Sequence, residues 1–242
     1  AVIDTGGSID IGMKLLKKIK SISDKPICYV INTHVHFDHI LGNKAFVPDN
    51  PEFIGHENLA VEVEQNRNFF LEQFKDDLGP NPSASSIISP DILIDKPTQL
   101  DLGNRIITLT PFPVSHSHSD LTVMDNKTNT LWAGDLIFRE RIPSLTGSLI
   151  GWIEVMKELS SLKVELVIPG HGHVAKSMPI AIKQQRDYLY RLLDETRNSI
   201  EDGQFINEAA ENIDSENLSG WLLHDLQHPA NVSRAFNELE WE

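Results

Sequence analysis

Four side chains able to bind a metal fall within six residues, His34-Val35-His36-Phe37-Asp38-His39, directly after the apolar run PICYVINT. No other feature constrains the fold as much, because donors packed this densely need a rigid element before them and a turn after them. PICYVINT, rich in β-branched and aromatic residues, reads as a strand. In extended backbone, residues two apart project to the same side, so His34 and His36 can meet at one point. If the chain then turns into a helix near Ile40, Asp38 and His39 swing toward a second point close by. One loop can thus serve two ions. A lone histidine is usually a packing or surface residue, but four donors in one loop are rare by chance.

Such a loop leaves each ion short of a full shell, since zinc takes about four ligands and catalytic zinc keeps one position for water. Further donors must come from elsewhere. Three candidates stand at the ends of predicted strands: His116 in PVSHSHSD, Asp135 in LWAGD and His171 in IPGHGH. Each follows apolar residues and precedes a turn, where α/β folds collect their functional groups. His118 and His173 lie two residues beyond His116 and His171, and only one of each pair can be the primary ligand.

The rest of the chain supplies the scaffold. AVID and the turn TGG lead into SIDIGMKLLKKIKSIS, which places Ile9, Met13, Leu16 and Ile19 at helical spacing. A short helix in ILGNKAF, the strand PEFIGH, a helical stretch over 57–78 and a Pro/Ser-rich loop follow. From Ile92 to Phe138 the runs are short and separated by turn signals, which predicts one antiparallel sheet. A helix in SLIGWIEVMKELSSL, the strand ELVIPG and a long helix from Met178 to about Asp202 restore an α/β rhythm. Strands with helices in both halves imply two sheets covered on their outer faces, within a single domain over 1–242. The single cysteine, Cys28, lies in the first long strand and reads as buried packing, so no disulfide framework exists within the chain. The net charge of -14, from 21 Lys plus Arg against 35 Asp plus Glu, repels phosphate backbones and argues against nucleic acid as a partner. No run of eighteen apolar residues occurs, so no membrane insertion is expected.

THVHFDH, His116, WAGD and PGHG match in order the five-part pattern of the metallo-β-lactamase superfamily, and the match runs over nearly the whole chain. The resemblance implies an αββα sandwich of two mixed β-sheets flanked by helices, entered without the first strand or strands of the usual fold. Residue by residue, it implies His34, His36 and His116 on one metal, Asp38, His39 and His171 on the other, and Asp135 bridging them. The family pattern of a ligand followed by a small hydroxyl residue favours His116-Ser117, which leaves His118 near the ligands or on the pocket wall. His173 then reads as a solvated loop histidine, His56 as a strand-end hydrogen-bonder, and His224 and His228 as packing residues. The segment 220–242, with DTGGS and RERIPSLTGSLIGW, resembles a narrower branch, the quinoprotein relay system zinc metallohydrolases. That branch implies a bacterial periplasmic protein, with the C-terminal tail packed on the domain.

The function implied is hydrolysis of a small carbonyl substrate, an ester, thioester, lactone or amide, by hydroxide held on two Zn2+ ions, with iron or manganese as alternatives. Asp38 and Asp135 take the catalytic positions, the first orienting water and the second setting the metal spacing. Asp4, Thr33 and Ser115 are near enough in sequence to orient the ligand imidazoles. Arg139 and Arg141 in FRERIPSLTGS could grip a substrate carboxylate together with His118, or simply form surface salt bridges. Phe69, Phe70 and Phe74 could line a pocket or a core. Asp135 stands where some true β-lactamases carry a cysteine, so β-lactam hydrolysis is not the leading expectation. The competing readings are a mono-iron sulfur dioxygenase and a metal-binding protein without turnover. Flavodiiron-like relatives carry Glu in place of the second histidine, and this chain has His36.

Overall fold

The β-branched runs form two sheets in this computed structural model, which describes residues 1–213, 218 and 220–242. One sheet has four strands in the order β1 (Val2–Ile3), β2 (Tyr29–Ile31), β3 (Glu52–His56) and β4 (Ile92–Ile94). The other has five, in the order β5 (Thr98–Asp101), β6 (Ile106–Pro111), β7 (Leu121–Asp125), β8 (Thr130–Phe138) and β9 (Leu166–His171). The chain divides into two compact units, residues 1–111 with 121–123, and residues 112–120 with 124–242.

In the first unit every neighbouring pair of the four-stranded sheet is parallel, so each connection must cross over, and helices supply two of the crossings. These are α1 (Ile9–Lys20) between β1 and β2, and α3 (Leu59–Gln73) between β3 and β4. Val30, Ile31 and Ile54 have no solvent exposure, as expected of parallel strands covered on both faces. Ile9, Leu15, Leu16 and Ile19 of α1 pack with Val2, Val30, Phe46 and Phe53. Met13, expected on that face, is exposed instead. The reason lies at Gly12, where a Cβ would stand 2.4 Å from the Gly42 carbonyl oxygen. The helix approaches its neighbour along the line 9-12-16-19, which turns residue 13 outward.

Two further expectations are corrected here. Ile92–Ile94 pairs parallel with β3 instead of joining the antiparallel sheet, because a three-residue apolar run carries no periodicity that specifies its partner. Cys28 is exposed: β2 begins only at Tyr29, and Ile27 and Val30 take the inward positions.

In the second unit, α4 (Leu149–Ser160), α5 (Met178–Glu201), α6 (Ile206–Asn212) and α7 (His224–Leu239) share one core with β8 and β9. Trp152, fully buried, donates its indole N–H to the Leu136 carbonyl at 3.1 Å. Gln185 of α5 takes the Phe138 N–H at 2.6 Å and donates to the same Leu136 carbonyl at 2.9 Å. These bonds tie two helices to the end of β8. Val232, Ala235, Phe236 and Leu239 place α7 in this core, and Glu238 caps α4 by accepting from Ser148 Oγ and the Leu149 N–H. The second sheet is mixed, antiparallel at β5–β6 and parallel at β8–β9.

Candidate metal centre

Beyond β2 the chain bends over residues 33–35, is extended at His36 and then enters α2 (Phe37–Ile40), a turn that starts three residues earlier than the sequence implied. Asp38 and His39 therefore sit in its first turn. His34 Nε2 and His36 Nδ1 lie 3.0 Å apart, and His39 Nε2 is 3.8 Å from Asp38 Oδ2. The far sides of the rings are held by neighbours. Asp4, just after β1, accepts from the Thr33 N–H, the Thr33 hydroxyl and His39 Nδ1, each at 2.8 Å. With its proton given to Asp4, the Thr33 hydroxyl accepts from His34 Nδ1 at 3.0 Å. One carboxylate thus fixes two imidazoles at Nδ1, so that Nε2 of each is the atom that would bind a metal. The glycines of the TGG turn permit this, since a Cβ at Gly7 would stand 3.2 Å from Asp38 Cα.

In the second unit, Asp135 lies where the β8–β9 register jumps: Gly134 pairs with Pro169, yet Phe138 pairs with His171. Such irregularities re-aim side chains at the ends of strands. Gly134 takes a left-handed conformation at φ 52°, and a Cβ at Gly170 would fall 1.9 Å from Asp135 Oδ1. The glycine of PGHG is therefore the space into which the carboxylate fits. Asp135 Oδ2 is 3.5 Å from His116 Nε2 and 3.3 Å from His171 Nε2. His116, fully buried, donates from Nδ1 to the Ser144 carbonyl at 2.7 Å and packs against Phe138 and Trp152.

Among the described residues, the first unit brings together His34, His36, Asp38 and His39 and the second brings together His116, Asp135 and His171, all side chains able to hold an ion. The donors fit a divalent metal of borderline softness, since they are imidazole nitrogens and carboxylate oxygens, and His34, His39 and His116 are each oriented at the opposite nitrogen.

His118 is exposed and outside both groups. Arg139 donates to the carbonyls of His173 and Val174, so it ties down the loop after β9. Arg141 lies against the His171 ring, Nη1 3.3 Å from Nδ1, and is half-buried. His173 is exposed and paired with Glu140, whose carboxyl the imidazole holds below the usual carboxylate range. His56 accepts from the Asn58 N–H at the end of β3, and His228 is buried against Tyr188. Phe70 is core, whereas Phe74 stacks on the exposed Phe37 beside Asp38. The Ser115 hydroxyl goes to Asp120 at 2.7 Å instead of to an imidazole. The partner of His116 is a backbone carbonyl, which carries no side-chain signature in the sequence.

Two sheets flanked by helices, with His/Asp donors beyond β2 and β6 and at the end of β9, and with Asp135 inside β8 instead of at its expected end because the strand continues through Leu136–Phe138, define a metal-binding α/β scaffold. The chain belongs to the metallo-beta-lactamase superfamily, whose family model matches residues 1–171. A linear primary-alkylsulfatase from Pseudomonas sp. is 50% identical over 48 residues, which are 20% of this chain and 9% of that protein. The solved structure of a metallo-beta-lactamase from Pontibacter korlensis superposes with TM-score 0.63 at 20% identity, over 78% of this chain and 81% of that one. A stereoselective inverting sec-alkylsulfatase from Pseudomonas sp. superposes with TM-score 0.69 at 14% identity, over 98% of this chain and 45% of that one. The alkylsulfatases are thus much longer than the part this chain matches. Lactamases and alkylsulfatases are both hydrolases, which supports an enzyme here.

Proposed function

We propose that this chain is a binuclear zinc hydrolase in which His34, His36, Asp38, His39, His116, Asp135 and His171 would hold the two ions, acting on a small anionic ester, thioester, lactone or sulfate ester. The observation that carries this reading is the position of Asp135 Oδ2, 3.5 Å from His116 Nε2 and 3.3 Å from His171 Nε2. Bound zinc supplies Lewis acidity toward a substrate oxygen and brings the pKa of water down to about 7. The chain's own groups do the rest. Asp38, whose side chain is 26% exposed, can accept a hydrogen bond from water and orient it. Arg141, beside the His171 ring, offers a cation for a carboxylate or sulfate group. Arg139, already engaged with backbone carbonyls, shapes the loop instead.

The test is elemental analysis of the purified protein together with turnover of ester, thioester, lactone, alkyl sulfate and β-lactam substrates. Close to two zinc ions per chain, with hydrolysis of at least one class and loss of orders of magnitude in Asp135→Ala, is the expected result. One tightly held iron without zinc would replace this reading with the sulfur dioxygenase, and zinc without any turnover would leave a binding protein.

A further inference from the structure

Asn231 lies on α7, fully buried, and its side-chain amide is committed to backbone far away in sequence. Its Oδ1 accepts from the Leu145 N–H at 2.9 Å, and its Nδ2 donates to the Pro143 carbonyl at 2.7 Å. The second Nδ2 proton goes to the Tyr188 hydroxyl at 2.9 Å. The residue between the two clamped groups is Ser144, whose carbonyl takes the proton of His116 Nδ1. In extended backbone the carbonyl of one residue and the N–H of the next but one point the same way, while the carbonyl between them points the opposite way. By pairing with Pro143 and Leu145 as a neighbouring strand would, the amide turns the Ser144 carbonyl away from itself and toward the imidazole.

We propose that Asn231 is a positioning residue for the metal centre: through Pro143 and Leu145 it aims the Ser144 carbonyl, which holds His116 with Nε2 toward the metal. The contacts around it point the same way. Thr146 donates from both its N–H and its hydroxyl to the His116 carbonyl, at 3.1 Å and 2.5 Å, so the segment beyond Leu145 is registered against the same histidine. The inference rests on the metal-site reading above, and metal binding by the wild-type protein tests that reading separately.

The experiment measures zinc affinity by competition with a chromophoric chelator, and the visible spectrum of the cobalt(II)-substituted protein, for wild type, Asn231→Ala and Tyr188→Phe. Tyr188→Phe removes the hydroxyl under Asn231 and leaves both clamping bonds in place, so it reports what a buried hydrogen-bond loss does by itself. In Asn231→Ala the weaker zinc should bind about 10–100-fold less tightly, with an altered cobalt spectrum, as for the loss of a group that orients a ligand imidazole. Tyr188→Phe should lower the melting temperature without changing either metal readout. If Asn231→Ala does not fold, Asn231→Asp serves in its place: it keeps the acceptor for Leu145 and loses the donor to Pro143, and the same weakening is expected. Wild-type-like affinity and spectrum in the folded Asn231 variant would overturn the proposal, as would an equal loss of affinity in Tyr188→Phe. A wild-type protein that binds no metal would overturn the metal-site reading itself.

Discussion

Asp4 holds a left-handed backbone at φ 53°, a conformation that asparagine also tolerates but most side chains resist. Its Oδ2 accepts from Thr33 and His39 together, so the backbone strain is tied to a group that orients two ligand rings. Asp4→Asn should keep the local fold, yet it leaves His39 Nδ1–H facing an amide N–H, which cannot accept. Metal affinity or kcat/KM should fall by roughly 10–100-fold with an unchanged far-UV circular dichroism spectrum. Full metal occupancy and full turnover in Asp4→Asn would show that His39 orients itself. The seven proposed donors were legible in the sequence because metal-binding chemistry is confined to a few residue types. The groups behind them were legible only in part. Asp4 and Thr33 lie at predicted strand ends, whereas the support for His116 is a carbonyl that any residue at position 144 would supply.

At the level of elements, helices α1, α4 and α5 were readable from their apolar pattern, α3 as a long charged stretch, and β8 and β9 from apolar runs leading to a donor, although β8 continues past Asp135 to Phe138. Sheet membership was readable for β5, which pairs antiparallel with β6 as expected, but not for β4, a short run whose partner is set by tertiary pairing. The β8–β9 irregularity was also hidden, because the three residues that β8 gains on β9 between Trp132 and Phe138 leave no composition signal, although the glycines of WAGD and PGHG mark it in retrospect. Gly170→Ala tests what the irregularity requires. The added methyl meets Asp135 Oδ1 and also comes within 2.8 Å of the Gly134 carbonyl carbon, so side chain and strand must both move. We expect destabilisation of about 1–3 kcal/mol and a loss of bound metal, measured by thermal unfolding and elemental analysis. A variant with wild-type stability and metal content would show that Asp135 can be displaced freely.

Over the whole molecule, any ion that binds the folded chain and not the unfolded one stabilises it by mass action, by about 2.7 kcal/mol at a free concentration one hundred times Kd. For a chain of this size that corresponds to a rise of about 5–10 °C in melting temperature. Chelation followed by readdition of zinc should lower and then restore Tm by that amount; a Tm indifferent to chelator would contradict a metal-holding site. Asn231 places a further condition on how the chain matures. Synthesis runs from the N-terminus, so His34, His36, His39 and His116 all leave the ribosome well before α7 exists. Until Asn231 arrives, the Pro143 carbonyl and the Leu145 N–H lack the partner they have in the finished protein. A nascent chain that met zinc early would bind it through whichever histidines were free, and the last helix would then have to close around a ligand set chosen without it. If the proposed metal site holds, the order of translation therefore makes loading after release the safer route.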